Sequence, residues 1–334
     1  MKKNHHFVPQ FYLRNFSQSG KNIGMYIFDA QKHVLNASIR GVAYREYLYG
    51  RDEEIENGLA DNEGEWAEII NRIILTYDLK LNEEEYIMLL LFICMSDART
   101  LKMADIYNKH LNNIANAATK LKPLDKKFGG RINYSVPNLL AMQVAAETVN
   151  ILSDLQFILL INESNTGFVT SDNPVVKYNQ MFRSRNYYSD YGIGQMGIQL
   201  FVPLSPRICL CLFDDVMYIP KQMDKVVITS SSQITELNKL FMLNAYKSIF
   251  FHPDQERSYI QSLIKKKVAS KQSIEYPVFG DGLLIPLQYS GVRENIKLPF
   301  FEINPDLRNM YLPLHMAGPL RPTAKVDIYG NDIR

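Results

Sequence analysis

The apolar residues of this chain change from helical to strand spacing between residues 152 and 157, and that switch constrains the fold more than any other feature. From Glu53 to Leu75, Ile55, Leu59, Trp66, Ile69, Ile70, Ile73 and Ile74 recur at the three- and four-residue steps of a helix. Asn82 is a fitting cap for a long helix running to about Leu121, because its side-chain oxygen can accept an orphan amide hydrogen bond. Pro123 and Gly129-Gly130 end that helix, and Ser135-Val-Pro137 opens another that runs to about Leu152. After the switch, Phe157–Asn162, Gly167–Thr170, Gln199–Pro203, Ile208–Phe213 and Val226–Thr229 read as strands joined by polar turns. A helix from about Gln233 to Ala245, a strand Ser248–His252 and a helix from Asp254 to about Val268 follow.

Ahead of the helical stretch, residues 9–17 suit a short helix whose first turn tolerates Pro9, and Gly24–Phe28 and His33–Ile39 suit a hairpin. The last stretch is Pro-rich and weakly patterned, which predicts loops and short strands. Helices and strands segregated in this way imply an α+β fold, a long-helix bundle in the N-terminal half packed against a mostly antiparallel sheet.

A chain of 334 residues, 46% of them hydrophobic, buries a substantial core without staples and is too apolar to be disordered. A formal charge of +2 gives no global pull towards DNA or a lipid surface. Cys94, Cys209 and Cys211 are odd in number, and the last two alternate within one strand, so they read as reduced core thiols. The basic N-terminus lacks the apolar segment of a signal peptide. The longest apolar run, Tyr86 to Met95, falls short of a bilayer span, which predicts a cytoplasmic protein with no membrane partner.

Several polar groups stand out from this background. In His5-His6-Phe-Val-Pro-Gln-Phe-Tyr-Leu-Arg14, adjacent side chains of an extended segment point to opposite faces, so at most one histidine easily enters a given site. Neutral imidazole serves as a metal ligand or general base, whereas the plain alternative has one histidine capping the helix and the other solvated. Arg14 could hold a phosphate or a buried carboxylate. In Phe168-Val-Thr-Ser-Asp172-Asn173-Pro174-Val175 a strand stops at a turn that displays a carboxylate and an amide together. Asp and Asn also belong in turns for structural reasons alone. Arg99 continues the apolar stripe of Met88, Phe92, Met95, Met103 and Ile106, so it must snorkel or find an anion, with Asp172 or an anionic ligand as candidates. Glu56 and Glu63 lie two helical turns apart and face the same way, fit for a divalent ion but expected to be solvated. The stretch 120–134, with Lys120, Lys122, Lys126, Lys127 and Arg131, reads as an exposed basic loop. No Gly-rich phosphate loop, HExxH, GxSxG or dinucleotide fingerprint is present.

Four of these segments, in order, resemble a bacterial family catalogued as domain of unknown function 4238. HHFVPQFYLRNF resembles its opening motif, SDART at 96–100 its mid-helix arginine motif, FVTSDNPV at 168–175 its central turn, and FVPLSPRICLCL at 201–212 the strand pair after it. The Asn238/Asn244 region looks like its closing helix. The resemblance implies one domain over 1–252, with a helical middle of about 53–152 and a β-rich part of about 157–252, followed by a C-terminal helix and irregular extension over 253–334. It implies no activity.

Putting His, Arg, Arg, Asp and Asn in separate segments leads to an expectation of convergence. His5 or His6, Arg14, Arg99, Asp172 and Asn173 should line one polar pocket. The function expected of it is metal-dependent phosphodiesterase or nuclease chemistry in a toxin or defence effector acting on nucleic acid or a nucleotide. His5, His6, Asp172 and Asn173 are the catalytic candidates, Asp172 and His6 the ligands of a divalent metal, and Arg14 and Arg99 the phosphate clamps. The alternative is a non-catalytic binding module in which these groups form a structural network of buried ion pairs.

Overall fold

The computed structural model describes residues 3–51, 53–121, 136–183, 191–269, 291–307 and 319–322. The chain opens with strand β1 (Asn4–His6) and helix α1 (Gln10–Arg14), which Pro9 precedes. The hairpin β2 (Asn22–Ile27) and β3 (Lys32–Ser38) follows, and β4 (Tyr44–Glu46) returns to pair antiparallel with β1, placing His6 opposite Tyr44. Four helices come next: α2 (Glu53–Thr76), α3 (Glu83–Ala98), α4 (Leu101–Leu121) and α5 (Pro137–Glu147), the last trailed by a 3-10 turn at Val149–Leu152.

Asn82 caps α3 as its chemistry suggests. Its side chain accepts the Glu85 amide hydrogen at 2.9 Å, and the Glu85 carboxylate accepts the Asn82 amide hydrogen at 3.1 Å. The single helix expected from Asn82 to Leu121 is instead two, broken at Arg99-Thr100. The Thr100 hydroxyl accepts from the Met103 amide at 3.3 Å, and the buried Asn138 amide donates to the carbonyls of Thr100 (2.9 Å) and Ala98 (3.4 Å). Side chains thus take over the Met103 amide and the Ala98 carbonyl, while the Thr100 carbonyl also accepts from the Ala104 amide at 3.2 Å. At the start of α5, Val136 takes the cap position and Pro137 the first turn; Ser135 lies outside the described residues.

The remaining strands are β5 (Gln156–Asn162), β6 (Thr170–Ser171), β7 (Val176–Tyr178), β8 (Gln199–Ser205), β9 (Ile208–Phe213), β10 (Tyr218–Pro220) and β11 (Lys225–Ile228). Helix α6 (Ser231–Asn244), strand β12 (Ser248–Phe251), helix α7 (Arg257–Ala269) and strand β13 (Phe301–Ile303) complete the fold, with β13 pairing antiparallel with β10. A five-stranded sheet runs in the order β11-β5-β9-β8-β7, antiparallel except for β11 beside β5. A four-stranded antiparallel sheet runs β3-β2-β12-β6. The fold is α+β.

The five-stranded sheet separates two cores, and its period-two alternation decides which residue enters which. Leu159, Ile161, Leu200, Val202, Leu210 and Leu212 pack towards α2, α3 and α5. Ile158, Leu160, Phe201, Cys209, Cys211 and Phe213 pack towards α6 and α7. Cys209 and Cys211 therefore share a face, as their spacing predicts, and burial pushes both thiols well up. The second core also takes in Val292, Ile296, Leu298, Phe300 and Phe301, and the Tyr178 hydroxyl donates to the Glu294 carbonyl at 2.9 Å. Of the described residues beyond 252, Ile260, Leu263 and the stretch 292–301 are thus built into the same core as the β-rich part. No helix among the described residues is long and apolar enough to cross a membrane.

Candidate functional site

Strand β1 sends its two histidines to opposite sides. His5 turns inward, 2% exposed; its Nδ1 accepts the Tyr49 amide hydrogen at 3.2 Å and its ring stacks on Tyr49 at 5.4 Å. The inward His5 thus packs against Tyr49 and does not line the cavity that His6 enters. His6 turns the other way and lines a cavity of about 350 Å³ together with Gln10, Arg14, Glu56, Glu63 and Arg99. One histidine of the pair enters the site, as strand alternation requires.

Arg99 is the pivot of that cavity. It ends α3 at 1% exposure, and its Nη2 donates to Glu63 Oε1 at 2.6 Å and to the His6 carbonyl at 2.9 Å. The anion expected opposite Arg99 is therefore supplied by Glu63 and not by Asp172. Glu56 and Glu63 do share a stripe of α2, but the stripe faces this cavity instead of open solvent, and Glu56 is 8% exposed. Burial works against the Arg99 charge, yet Tyr49, Glu63 and Glu56 together hold its pKa above the ordinary value. Burial likewise pushes the Tyr49 phenol up to about 12, with Arg99 pulling it back, so the phenol lies against the guanidinium. Its hydroxyl donates to the same His6 carbonyl at 3.1 Å. Arg99 Nε and Nη1 are buried and have no hydrogen-bond acceptor among the described residues. Arg14, exposed at the end of α1, adds a second guanidinium to the wall.

Asp172 and Asn173 lie elsewhere, which corrects the expected five-residue convergence. They form the turn by which the chain leaves β6, in the four-stranded sheet, for β7, in the five-stranded one. The Asp172 carboxylate accepts three backbone hydrogens, from Tyr246 (2.8 Å), Lys247 (2.6 Å) and Ser248 (3.1 Å). Burial raises its pKa against these bonds and against Lys267. The Asn244 side-chain amide donates to the carbonyls of Asn173 (2.7 Å) and Val175 (2.8 Å), which ties the end of α6 to the same turn. Neither residue lines the His6 cavity. The pairing of Asp172 with His6 as metal ligands has no geometric basis, and no group of three or more His, Cys, Asp or Glu fit to hold a metal occurs among the described residues.

Of the sequence candidates, the fold gathers His6, Arg14 and Arg99, sets His5 behind them, and adds Glu56, Glu63, Gln10 and Tyr49. The two-turn spacing of Glu56 and Glu63 was the available signal for those carboxylates; Tyr49 carried none. The basic stretch at 120–134 lies, past its helical start, outside the described residues.

A sheet covered by helices on both faces, with a zwitterionic cavity where the N-terminal strand meets α2 and α3, defines the class of protein. The chain belongs to the DUF4238 family, described as a protein of unknown function, which matches residues 4–255 and so spans every residue of the cavity. No curated protein and no solved structure matches the chain.

Proposed function

We propose that the chain is a phosphodiester hydrolase acting on nucleic acid, with the His6 cavity as its active site and RNA as its substrate. The observation that carries this reading is Arg99, a guanidinium fixed at 1% exposure beside Glu63 at the wall of a polar cavity that Arg14 also lines. Arg99 supplies a fixed positive charge at the wall, and the exposed Arg14, whose planar guanidinium suits two oxygens of one phosphate, makes the contact from the solvent side.

The donor set does not fit a resident divalent ion, because one Glu63 oxygen is committed to Arg99 and no three-donor cluster is present among the described residues. Chemistry without a metal favours a nucleophile that the substrate itself carries, and RNA carries the 2′-hydroxyl. Glu56 would take the 2′-hydroxyl proton as the oxygen attacks phosphorus. The bond to the 5′-oxygen breaks, and His6 protonates that leaving oxygen, giving a 2′,3′-cyclic phosphate. Glu63 holds Arg99 in place throughout.

The test is cleavage of RNA and DNA of one sequence, in EDTA and in Mg²⁺. RNA cut in EDTA to cyclic-phosphate ends is the expected result. His6→Ala should lower the rate by about 10²-fold or more, as removing a general acid does, with the melting temperature kept. Intact RNA under both conditions, or DNA cleavage in Mg²⁺ alone, overturns the reading.

A second reading draws on the bonds from Arg99 to Glu63 and the His6 carbonyl, which stitch α2, α3 and β1 together. It makes the cavity a structural joint in a non-catalytic binding module. It predicts that Arg99→Met unfolds the chain and that His6→Ala affects no activity.

A further inference from the structure

Helix α1 divides its residues between the core and the His6 cavity. Tyr12 and Leu13 are fully buried, whereas Gln10, Phe11 and Arg14 line the cavity. Gln10 and Arg14 stand one helical turn apart with Phe11 beside them, so the three side chains form one wall. Phe11 is partly exposed, and its ring packs on that of Phe92 at 6.1 Å, which holds it at the wall. Helix α2 contributes Ala60, Gly64 and Ala67 to the same cavity, at steps of four and three residues that put them on one face. A Cβ at Gly64 would meet nothing within 4 Å, so no packed neighbour requires a glycine there and the space in front of it is open. A phosphate alone would use only the charged groups. The volume of about 350 Å³ also exceeds the ~150 Å³ that admits a benzene ring, which leaves room for a ring beside the phosphate.

We propose that the cavity takes in a nucleobase next to the phosphodiester, stacked on Phe11 with its edge against the Gln10 amide, so that the substrate is single-stranded RNA. The inference rests on the phosphodiester reading of the same cavity and adds the base to it. Stacking on an aromatic ring suits any base, because every base has a π-face. The Gln10 amide offers both a donor and an acceptor to the base edge. Within a duplex a base is covered on both faces and its pairing edge is engaged, so a paired base would first have to leave the stack.

Titration calorimetry of the full chain compares an uncleavable 2′-fluoro RNA dinucleotide with the same backbone carrying no bases. The dinucleotide should bind about tenfold more tightly, as the stacking of one base provides. Phe11→Leu keeps an apolar contact with Phe92 but loses the ring face, so it should cut that preference to about twofold or less, while Phe11→Tyr keeps it. Gly64→Leu fills the open space with a better helix former, so it should weaken the dinucleotide about tenfold and spare the base-free backbone, with the melting temperature kept. That variant carries the test if Phe11→Leu does not fold. An RNA duplex should compete with the dinucleotide about tenfold less well than one of its strands alone. Equal affinity for the two ligands, a preference kept in folded Phe11→Leu, a Gly64→Leu that weakens neither ligand or both alike, or a duplex that competes as well as the single strand would overturn the base site and leave the phosphodiester reading standing. No saturable binding of either ligand would overturn both.

Discussion

Asp172 illustrates how one residue type supports two readings that only partners can separate. A carboxylate at a strand end looks like a reactive group on display, yet here its two oxygens serve three amide hydrogens at the crossing between two sheets. Asp172→Ala leaves the buried Ser248 amide and two part-buried amides without their acceptor, so it should destabilise the protein by about 1–3 kcal/mol in urea unfolding. Because Asp172 does not line the His6 cavity, the folded fraction should keep the activity proposed for that cavity. Arg99 shows the converse. Its one-percent exposure within an apolar stripe declared that an anion had to be near, and the sequence stripe led correctly to that demand. Which anion answered it depended on how α2 packs, and Glu63 lies 36 residues away.

At the level of elements, the break between α3 and α4 depends on Asn138, whose amide donates to two carbonyls at the helix end from a position 0% exposed. Asn138→Ala should cost about 1–3 kcal/mol by leaving the Ala98 carbonyl without that donor and the Thr100 carbonyl with the Ala104 amide alone, measured as a fall in the urea midpoint with an unchanged slope. The local code for most elements was readable in advance. Asn82 and Glu85 form their capping box within four residues, and the alternation of Ile208, Leu210 and Leu212 against Cys209 and Cys211 is a strict period of two. The helix break was not readable, because Arg99-Thr100 contains no Gly or Pro and the group that caps the break comes from α5. The three-residue strands β7 and β10 were likewise hidden, being too short to show a period, and β10 takes its partner β13 from about 80 residues further along the chain. For the site, strand alternation separated His5 from His6 and helical spacing aligned Glu56 with Glu63. Whether that stripe met solvent or a cavity is a property of the assembled fold.

Across the whole molecule, the layers meet where Lys102 of α4 and Lys267 of α7 reach the end of α6. Lys102 Nζ donates to the Asn244 side-chain oxygen at 3.0 Å, and Lys267 Nζ donates to the Met242 carbonyl at 3.2 Å and to that of Ala245. Burial lowers both ammonium groups to about 8. A folded pKa depressed below the unfolded value means that the stabilising contribution is complete above about 10.5 and is lost as pH falls through about 8. Wild type should therefore gain stability relative to Lys102→Met as pH rises from 8 to 10.5, by at most about 3 kcal/mol, followed by thermal melts of both proteins across that range.

The central claim is that the His6 cavity holds a phosphodiester against Arg14 and Arg99. The most direct measurement is calorimetric binding of an uncleavable 2′-fluoro RNA dinucleotide to the wild type and to Arg14→Met. Arg14 is exposed, so its loss should leave the melting temperature in place. Saturable binding to the wild type, weakened by about tenfold or more in Arg14→Met, is the result expected of a lost charged hydrogen bond. No saturable binding, or equal affinity in the two proteins, would contradict the claim.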